Sequence, residues 1–242
     1  VLNQDSLNNM MKYLFQPMLN VNIMSLKDTL ERIRKELARK DVFKQEIQIA
    51  ARKATRLSKQ AVFQIHKENL KKAKETLEEA KRTLEKIKEI SKDYPDLFYT
   101  GSVNSAFQEY AEANILLTLI KDSRFPEIEE LGVPMDAYVL GLADVIGELR
   151  RRALESLRKN MRCEAERCLR LMETIYEEII NLEDIQILVS SLRRKCDTGR
   201  RIIEATRADI MIESGRSSLE RQIMNLIKAL DERMRDEPAE ST

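Results

Sequence analysis

Two pairs of acidic residues have the type and spacing to bind a metal ion. Glu109 and Glu112 are three positions apart, and Asp144 and Glu148 are four apart. Residues at these spacings share one face of an α-helix, so each pair would present two carboxylates together. The second pair lies in the most apolar helical stretch of the chain, where an unpaired charge is costly. Four carboxylates without a histidine or cysteine beside them favour a hard cation, Mg²⁺ with Mn²⁺ as a substitute.

The same pattern has a structural alternative. The first pair could be surface charges, and Asp144 and Glu148 could form ion pairs with arginines such as Arg150 or Arg151. Spacing alone favours this alternative, so the metal site depends on further evidence. His66 is the only histidine of the chain, and we expect it to pack or hydrogen-bond inside the fold rather than to act in catalysis.

Basic residues form two candidate contacts for nucleic acid. Arg52, Arg56 and Lys59 recur at helical spacing and would lie along one helix face. Phosphate contacts of this kind give affinity with little sequence information. For any single residue, a solvated helix face is the alternative. The second cluster consists of Arg193, Arg194, Lys195, Arg200 and Arg201.

The charges are unevenly distributed along a chain whose net charge is only +1. Residues 27–89 contain 19 basic and 11 acidic side chains, residues 93–148 contain 2 and 11, and residues 150–207 contain 14 and 10. An acidic block between two basic blocks suits a nuclease, which needs metal ligands in the middle and phosphate binders around them. Ordinary variation among solvated helix faces is the alternative.

Helices must position these residues. The 242 residues include only 6 Gly and 5 Pro, and the many Leu, Ile, Glu, Lys and Arg predict an all-α protein. We expect a bundle of about six or seven long antiparallel helices, forming one domain at residues 25–235. Residues 1–24 are interpreted as an extension that is flexible or not native, and residues 236–242 as a disordered tail. The predicted helices run from about 25 to 65, 68 to 91, 103 to 121, 135 to 159, 162 to 182 and 185 to 235.

Several small and aromatic residues near the acidic pairs are expected to serve the fold. Gly141 and Gly147 cost helix stability, so we expect them to allow close helix approach. At helical spacing, Tyr110 and Tyr138 are more typical of a core than of base-stacking platforms. The last helix has candidate breaks, which are at Gly199 and Gly215.

The cysteines and hydropathy bear on the compartment. Cys163, Cys168 and Cys196 are too few and too irregularly spaced for a zinc site or a disulfide framework. Free thiols suit a reducing compartment. No apolar run approaches the length of a membrane span, and no secretory signal is visible. We therefore expect a cytoplasmic protein that does not enter a membrane.

Four segments resemble the translin/TRAX family, in the family's order. LSKQAVFQIH at 57–66 resembles the first-helix pattern S-K-x-x-I-F-x-L-H, and FQEYAEA at 107–113 resembles the TRAX-type FQEYVEA. YVLGLADVIGEL at 138–149 resembles YLLGxADLxGEL, and LRRKCD at 192–197 resembles the C-terminal L-R-K-x-x-D region. The resemblance covers roughly residues 26–215.

The resemblance implies a TRAX-like, catalytic-type subunit, since translin-type subunits bind RNA and single-stranded DNA without the full acidic set. It implies a Mg²⁺-dependent endoribonuclease that cleaves short RNA, with single-stranded DNA as a further substrate. Glu109, Glu112 and Asp144 would be metal ligands, and Glu148 a ligand or the base that positions water. The family also implies a hollow, roughly octameric shell. The many basic residues favour a homo-oligomer, and a translin-like partner subunit is the alternative.

One rival function stays open, and the sequence argues against two others. A non-catalytic, translin-like protein would bind RNA and single-stranded DNA without cutting. A di-iron bundle enzyme would need Glu-x-x-His pairs, which one histidine cannot supply. A coiled-coil adaptor would need a sustained heptad, which the chain lacks.

Overall fold

The structure is a computed structural model that describes residues 23–182, Val189 and residues 191–236. Within these residues the chain is helical, without a strand. This confirms the all-α expectation. None of the described helices is both long enough and apolar enough to cross a membrane. In chain order the helices are α1 (Ile23–His66), α2 (Leu70–Ile90), α3 (Pro95–Phe98), α4 (Gly101–Asp122), α5 (Ile128–Leu131), α6 (Met135–Arg158), α7 (Arg162–Ile180) and α8 (Leu192–Asp236).

The chain divides into two compact units, one ending at Ile47 and one beginning at Gln48. The described part of the first unit is the beginning of α1. One face of it carries apolar side chains at helical spacing, and each is about half exposed. These residues are Leu26, Leu30, Ile33 and Leu37.

The predicted extension and tail lie almost entirely outside the described residues. Ile23 and Met24 already belong to α1, and Asp236 still belongs to α8. The division into extension, single domain and tail therefore stays a prediction. The predicted start of the last helix near 185 also lies outside the described residues.

The second unit is organised around α6. This helix packs against α4, α7 and α8, and α2 packs against α4. The buried face of α6 combines small residues with branched ones, so neighbouring helices come close while apolar surface is removed from water. Val145, Ile146 and Leu149 are buried there. The two helices that carry the acidic pairs, α4 and α6, are thus direct neighbours.

Gly141 sets the closest approach between α4 and α6. A Cβ atom at this position would lie 2.8 Å from the backbone oxygen of Gln108 and 2.9 Å from the backbone nitrogen of Glu112. Only glycine fits so near another helix's backbone. The expectation for Gly141 is confirmed. The same expectation for Gly147 is wrong, because no atom of the described residues lies within 4 Å of a Cβ atom built there.

Helix α8 continues through both of its candidate breaks. Gly199 and Gly215 lie inside the helix, so the prediction of a break was wrong. A Cβ atom at Gly199 would lie 3.1 Å from Cδ1 of Ile146, so the glycine lets α8 pack closely on α6. Packing there outweighs the weak helix propensity of glycine.

Candidate active site

The four predicted acidic residues line one cavity of about 510 Å³. Helix α4 supplies Glu109 and Glu112, and α6 supplies Asp144 and Glu148. The close α4–α6 contact at Gly141 lies beside Glu112, so backbone packing positions the carboxylates. The other lining residues are Lys59, Val62 and Phe63 of α1 and Arg151 of α6.

Two of the carboxylates have polar partners from α1. Lys59 Nζ lies 3.2 Å from Oε1 of Glu109. His66 Nε2 lies 2.5 Å from Oε2 of Glu148, and the histidine side chain is only 10% exposed. The hydrogen bond from His66 is the main reason why the pKa of Glu148 lies below its usual value. His66 thus hydrogen-bonds inside the fold, as expected.

Asp144 is held by one group on each of its oxygens. Oδ1 pairs with Nζ of Lys195, which reaches the cavity from α8. Oδ2 accepts a hydrogen bond of 2.5 Å from Nε2 of Gln108 on α4. Three helices therefore meet at this one carboxylate.

Glu112 differs from the other three carboxylates. Among the described residues, no cationic group pairs directly with it. Burial, and after it the nearby charges of Asp144, Glu109 and Glu148, together raise its pKa to about 9. Glu112 therefore holds a proton near neutral pH in the metal-free protein, and it marks the point where negative charge is most crowded.

The donor set suits a divalent cation, although its present arrangement is that of an ion-paired site. As they stand, no three His, Cys, Asp or Glu side chains of the described residues could hold a metal ion together. Glu109 and Asp144 pair with lysines instead, and Glu148 accepts a hydrogen bond from His66. Four carboxylates around one cavity, with no such partner for Glu112 among the described residues, are the chemistry that Mg²⁺ prefers. Their role as ligands stays a prediction.

The structural alternative is realised with different cations from those that the sequence suggests. Arg150 does not pair with Asp144; its guanidinium lies 3.0 Å from Oδ2 of Asp209 and donates to the hydroxyl of Thr206. Arg151 lies 3.9 Å from Glu148, at the long limit of an ion pair. Two lysines and a histidine from other helices contact the carboxylates instead.

The first basic cluster lines a groove of about 590 Å³ beside the cavity. Arg52, Arg56 and Lys59 all contribute, which agrees with their predicted common face. Lys59 and Phe63 line both the groove and the cavity, so the two spaces adjoin. The groove is completed by Thr55, Gln60, Ser102 and Ser105.

The second basic cluster is split by the helix that carries it. Lys195 turns into the acidic cavity, whereas Arg193, Arg194 and Arg201 are exposed. Arg200 lines a separate cavity of about 380 Å³ between α7 and α8. Consecutive helical residues point about 100° apart, so neighbours in sequence need not share a surface.

Sequence reasoning did not assign Gln108, His66 or Phe63 to the site. Gln108 and His66 have partners 36 and 82 residues away, which no local pattern reveals. Phe63 had a signal, because it follows Lys59 at the spacing that links Arg52, Arg56 and Lys59. The two tyrosines are confirmed as structural, since Tyr110 is buried and the hydroxyl of Tyr138 donates to a backbone oxygen.

Comparison with known proteins decides the family. Residues 42–204 match the Translin family. The chain belongs to the Translin family. It is 36% identical over 187 residues to an uncharacterized protein of Methanocaldococcus jannaschii, a match that covers 76% of this chain and 82% of the relative. The range matched by the Translin family, residues 42–204, includes all the carboxylates of the cavity and both basic clusters.

Solved structures share the fold of this Translin family member. The complex of AfC3PO with duplex RNA has a TM-score of 0.70 and 34% identity, covering 77% of this chain and 96% of that chain. AfC3PO alone has a TM-score of 0.70 and 33% identity, covering 77% and 97%. Apo-NeC3PO has a TM-score of 0.69 and 29% identity, covering 76% and 96%.

Proposed function

We propose that this protein is a Mg²⁺-dependent endoribonuclease that cleaves short RNA, and single-stranded DNA as a further substrate, within a homo-oligomeric shell. The observation that carries the proposal is one cavity lined by four carboxylates and adjoined by a basic groove. The similar AfC3PO, solved with duplex RNA, supports nucleic acid as the ligand. A catalytic, TRAX-like subunit is the form of the family that this acidic set supports.

The chain's own residues divide the work between binding and chemistry. Glu109, Glu112 and Asp144 would hold Mg²⁺, and Glu148, oriented by His66, would be a further ligand or would position the attacking water. When bound, the ion supplies an activated water and neutralises charge at phosphorus and on the leaving oxygen. Arg52, Arg56 and Lys59 bind the phosphates that lead to the cavity.

A second function has its own support. Two of the four carboxylates already pair with lysines and a third with His66, and a protein that only binds RNA needs no more than that. In that case the ion pairs would be structural and the basic groove would be the working surface. The two functions predict different cleavage activities when the carboxyl group of Glu112 is replaced by an amide.

The test is cleavage of an end-labelled short RNA by the purified protein with Mg²⁺, Mn²⁺ or EDTA. We expect cleavage with either metal and none with EDTA. Glu112→Gln nearly keeps the shape of the side chain, and it should lower cleavage by orders of magnitude while RNA binding holds or strengthens.

The matched control is Glu75→Gln, the same chemical change at an exposed position on α2. It should leave both cleavage and binding unchanged. Full cleavage by Glu112→Gln, or RNA binding without any metal-dependent cleavage by the unmodified protein, would favour the binding-only function.

A further inference from the structure

Phe63 places an aromatic ring where the basic groove meets the acidic cavity. It is 45% exposed and lines both spaces. Other rings near the acidic pairs are unavailable, since Phe107 and Tyr110 are buried. An isolated exposed apolar residue needs no explanation, so its position carries the inference.

The ring continues the line of phosphate-binding side chains. Arg52, Arg56, Lys59 and Phe63 follow each other at spacings of four, three and four residues, which places them along one face of α1. Beyond them, Lys67 Nζ lies 4.4 Å from the centre of the Phe63 ring. A strand whose phosphates follow these cations would bring a base next to Phe63 just before its backbone reaches the carboxylates.

We propose that Phe63 stacks against the base of the nucleotide next to the scissile phosphate. This inference rests on the proposed function and names its substrate class, which is a strand with an unstacked base at the point of cleavage. Every base has a π-face, so the ring distinguishes an unpaired strand from a duplex but does not distinguish one base sequence from another. In an A-form duplex the bases are stacked and paired, so their faces cannot reach the ring.

The chain contains no tryptophan, which allows a direct test of stacking. Phe63→Trp introduces the only indole of the protein, and its fluorescence reports contact with a base. In EDTA, we expect single-stranded RNA to quench this fluorescence over the same concentration range in which labelled RNA shows binding by anisotropy. A duplex of the same sequence should bind through its phosphates and leave the signal unchanged.

Two further variants separate stacking from general apolar contact. Phe63→Ala and Phe63→Leu should both weaken single-stranded RNA binding by about tenfold and leave duplex binding nearly unchanged. Phe125 is also exposed but lines neither space, so Phe125→Trp and Phe125→Ala are the matched controls. Neither control should respond to RNA.

The outcomes separate this inference from the proposed function. An indole at position 63 that ignores bound single-stranded RNA would overturn the stacking, as would equal losses of duplex and single-strand binding in Phe63→Ala. A lower oligomer mass of Phe63→Ala by light scattering would also overturn it, since the ring would then be a contact between copies. Quenching without metal-dependent cleavage would uphold a base stacked on Phe63 but overturn both the proposed nuclease and the placement of that base next to a scissile phosphate. Absence of any RNA binding by the unmodified protein would overturn both.

Discussion

Glu112 is the carboxyl group of the cavity that is hardest to ionise when no cation is bound. Its pKa is raised to about 9 by burial and by three neighbouring carboxylates, so its folded-state pKa lies far above the unfolded value of 4.5. The folded protein therefore keeps the proton over a pH range in which the unfolded chain releases it. This contribution to stability is fully present below about pH 4.5 and is lost as the pH rises towards 9.

This linkage predicts a pH-dependent gain from removing the carboxyl group. In EDTA at pH 8, Glu112→Gln should melt several degrees above the unmodified protein, since each kcal/mol shifts the melting temperature by about 2–4 °C in a chain of this size. At pH 4.5 the two should nearly coincide. Circular dichroism melts across this range measure the effect, and a constant difference at every pH would contradict it.

Lys195 is a protein cation at the place where a metal ligand is proposed. Its ammonium group pairs with Oδ1 of Asp144, so a divalent cation must compete with it for that oxygen. Lys195→Met removes the charge and nearly keeps the length of the side chain. We expect it to bind Mn²⁺ about tenfold more tightly by calorimetry, since a difference of about 1.4 kcal/mol has that effect.

The same variant should also show a conditional loss of stability. Without metal, Lys195→Met leaves Asp144 without its cation and should melt lower, whereas added Mg²⁺ should restore it. Lys195→Arg keeps the charge and serves as the control, with metal affinity close to that of the unmodified protein. Unchanged Mn²⁺ affinity in Lys195→Met would show that Lys195 does not compete with the metal.

At the scale of elements, the α4–α6 contact determines where the carboxylates are. The backbone of α4 passes so close to Gly141 that a methyl group there would meet backbone atoms of Gln108 and Glu112, which cannot rotate away. Gly141→Ala should therefore cost about 1–3 kcal/mol and lower cleavage by displacing Glu112. Thermal melts and the RNA cleavage assay measure the two effects.

Gly147 is the matched control on the same helix. A methyl group there meets no other part of the described structure within 4 Å, so Gly147→Ala should stabilise the protein by up to about 1 kcal/mol through helix propensity. Equal behaviour of the two alanine variants would contradict the role of Gly141 as a contact point.

The sequence predicts those elements whose signals are local. Helical periodicity predicts α4 as about 103–121 and α6 as about 135–159, close to the observed Gly101–Asp122 and Met135–Arg158. The one-turn helix α3 was not predicted, although Pro95 begins it and the fixed φ of proline suits a first helical position.

Local patterns fail where packing between helices decides. The predicted breaks at Gly199 and Gly215 followed from helix propensity. At Gly199 the packing of α8 on Ile146 overrides it, whereas the helix continues through the exposed Gly215 without such a contact among the described residues. The four carboxylates share a face in pairs, and this was predictable. Lys195 and His66 reach the carboxylates because of how α8 and the end of α1 pack. No spacing within one helix contains that information.

At the scale of the whole molecule, the described chain exposes more apolar surface than a bundle needs. In the first unit the exposed stripe begins at Leu26. In the second unit, the end of α8 exposes Leu219, Ile223 and Leu226, at 58%, 47% and 62%. Stripes of this kind mark contact surfaces.

These stripes predict an assembly larger than a dimer. Light scattering of the purified protein at micromolar concentration should return a mass several times 28.2 kDa. Leu219→Glu, which places a charge in one stripe, should shift that mass downward, whereas the surface change Glu75→Gln should not. A 28.2 kDa species at that concentration would contradict the predicted shell.

The internal cations of the cavity also link its two proposed ligands. An ion that takes the oxygens of Glu109 and Asp144 leaves the ammonium groups of Lys59 and Lys195 without counterions. A phosphodiester strand in the adjoining groove, which Lys59 also lines, would supply negative charge to the ammonium group of Lys59. Each of the two proposed ligands would then strengthen the binding of the other by the same factor, as thermodynamic reciprocity requires. On the proposed function, the carboxylates stay paired with the protein's own lysines until the metal ion and the RNA bind together.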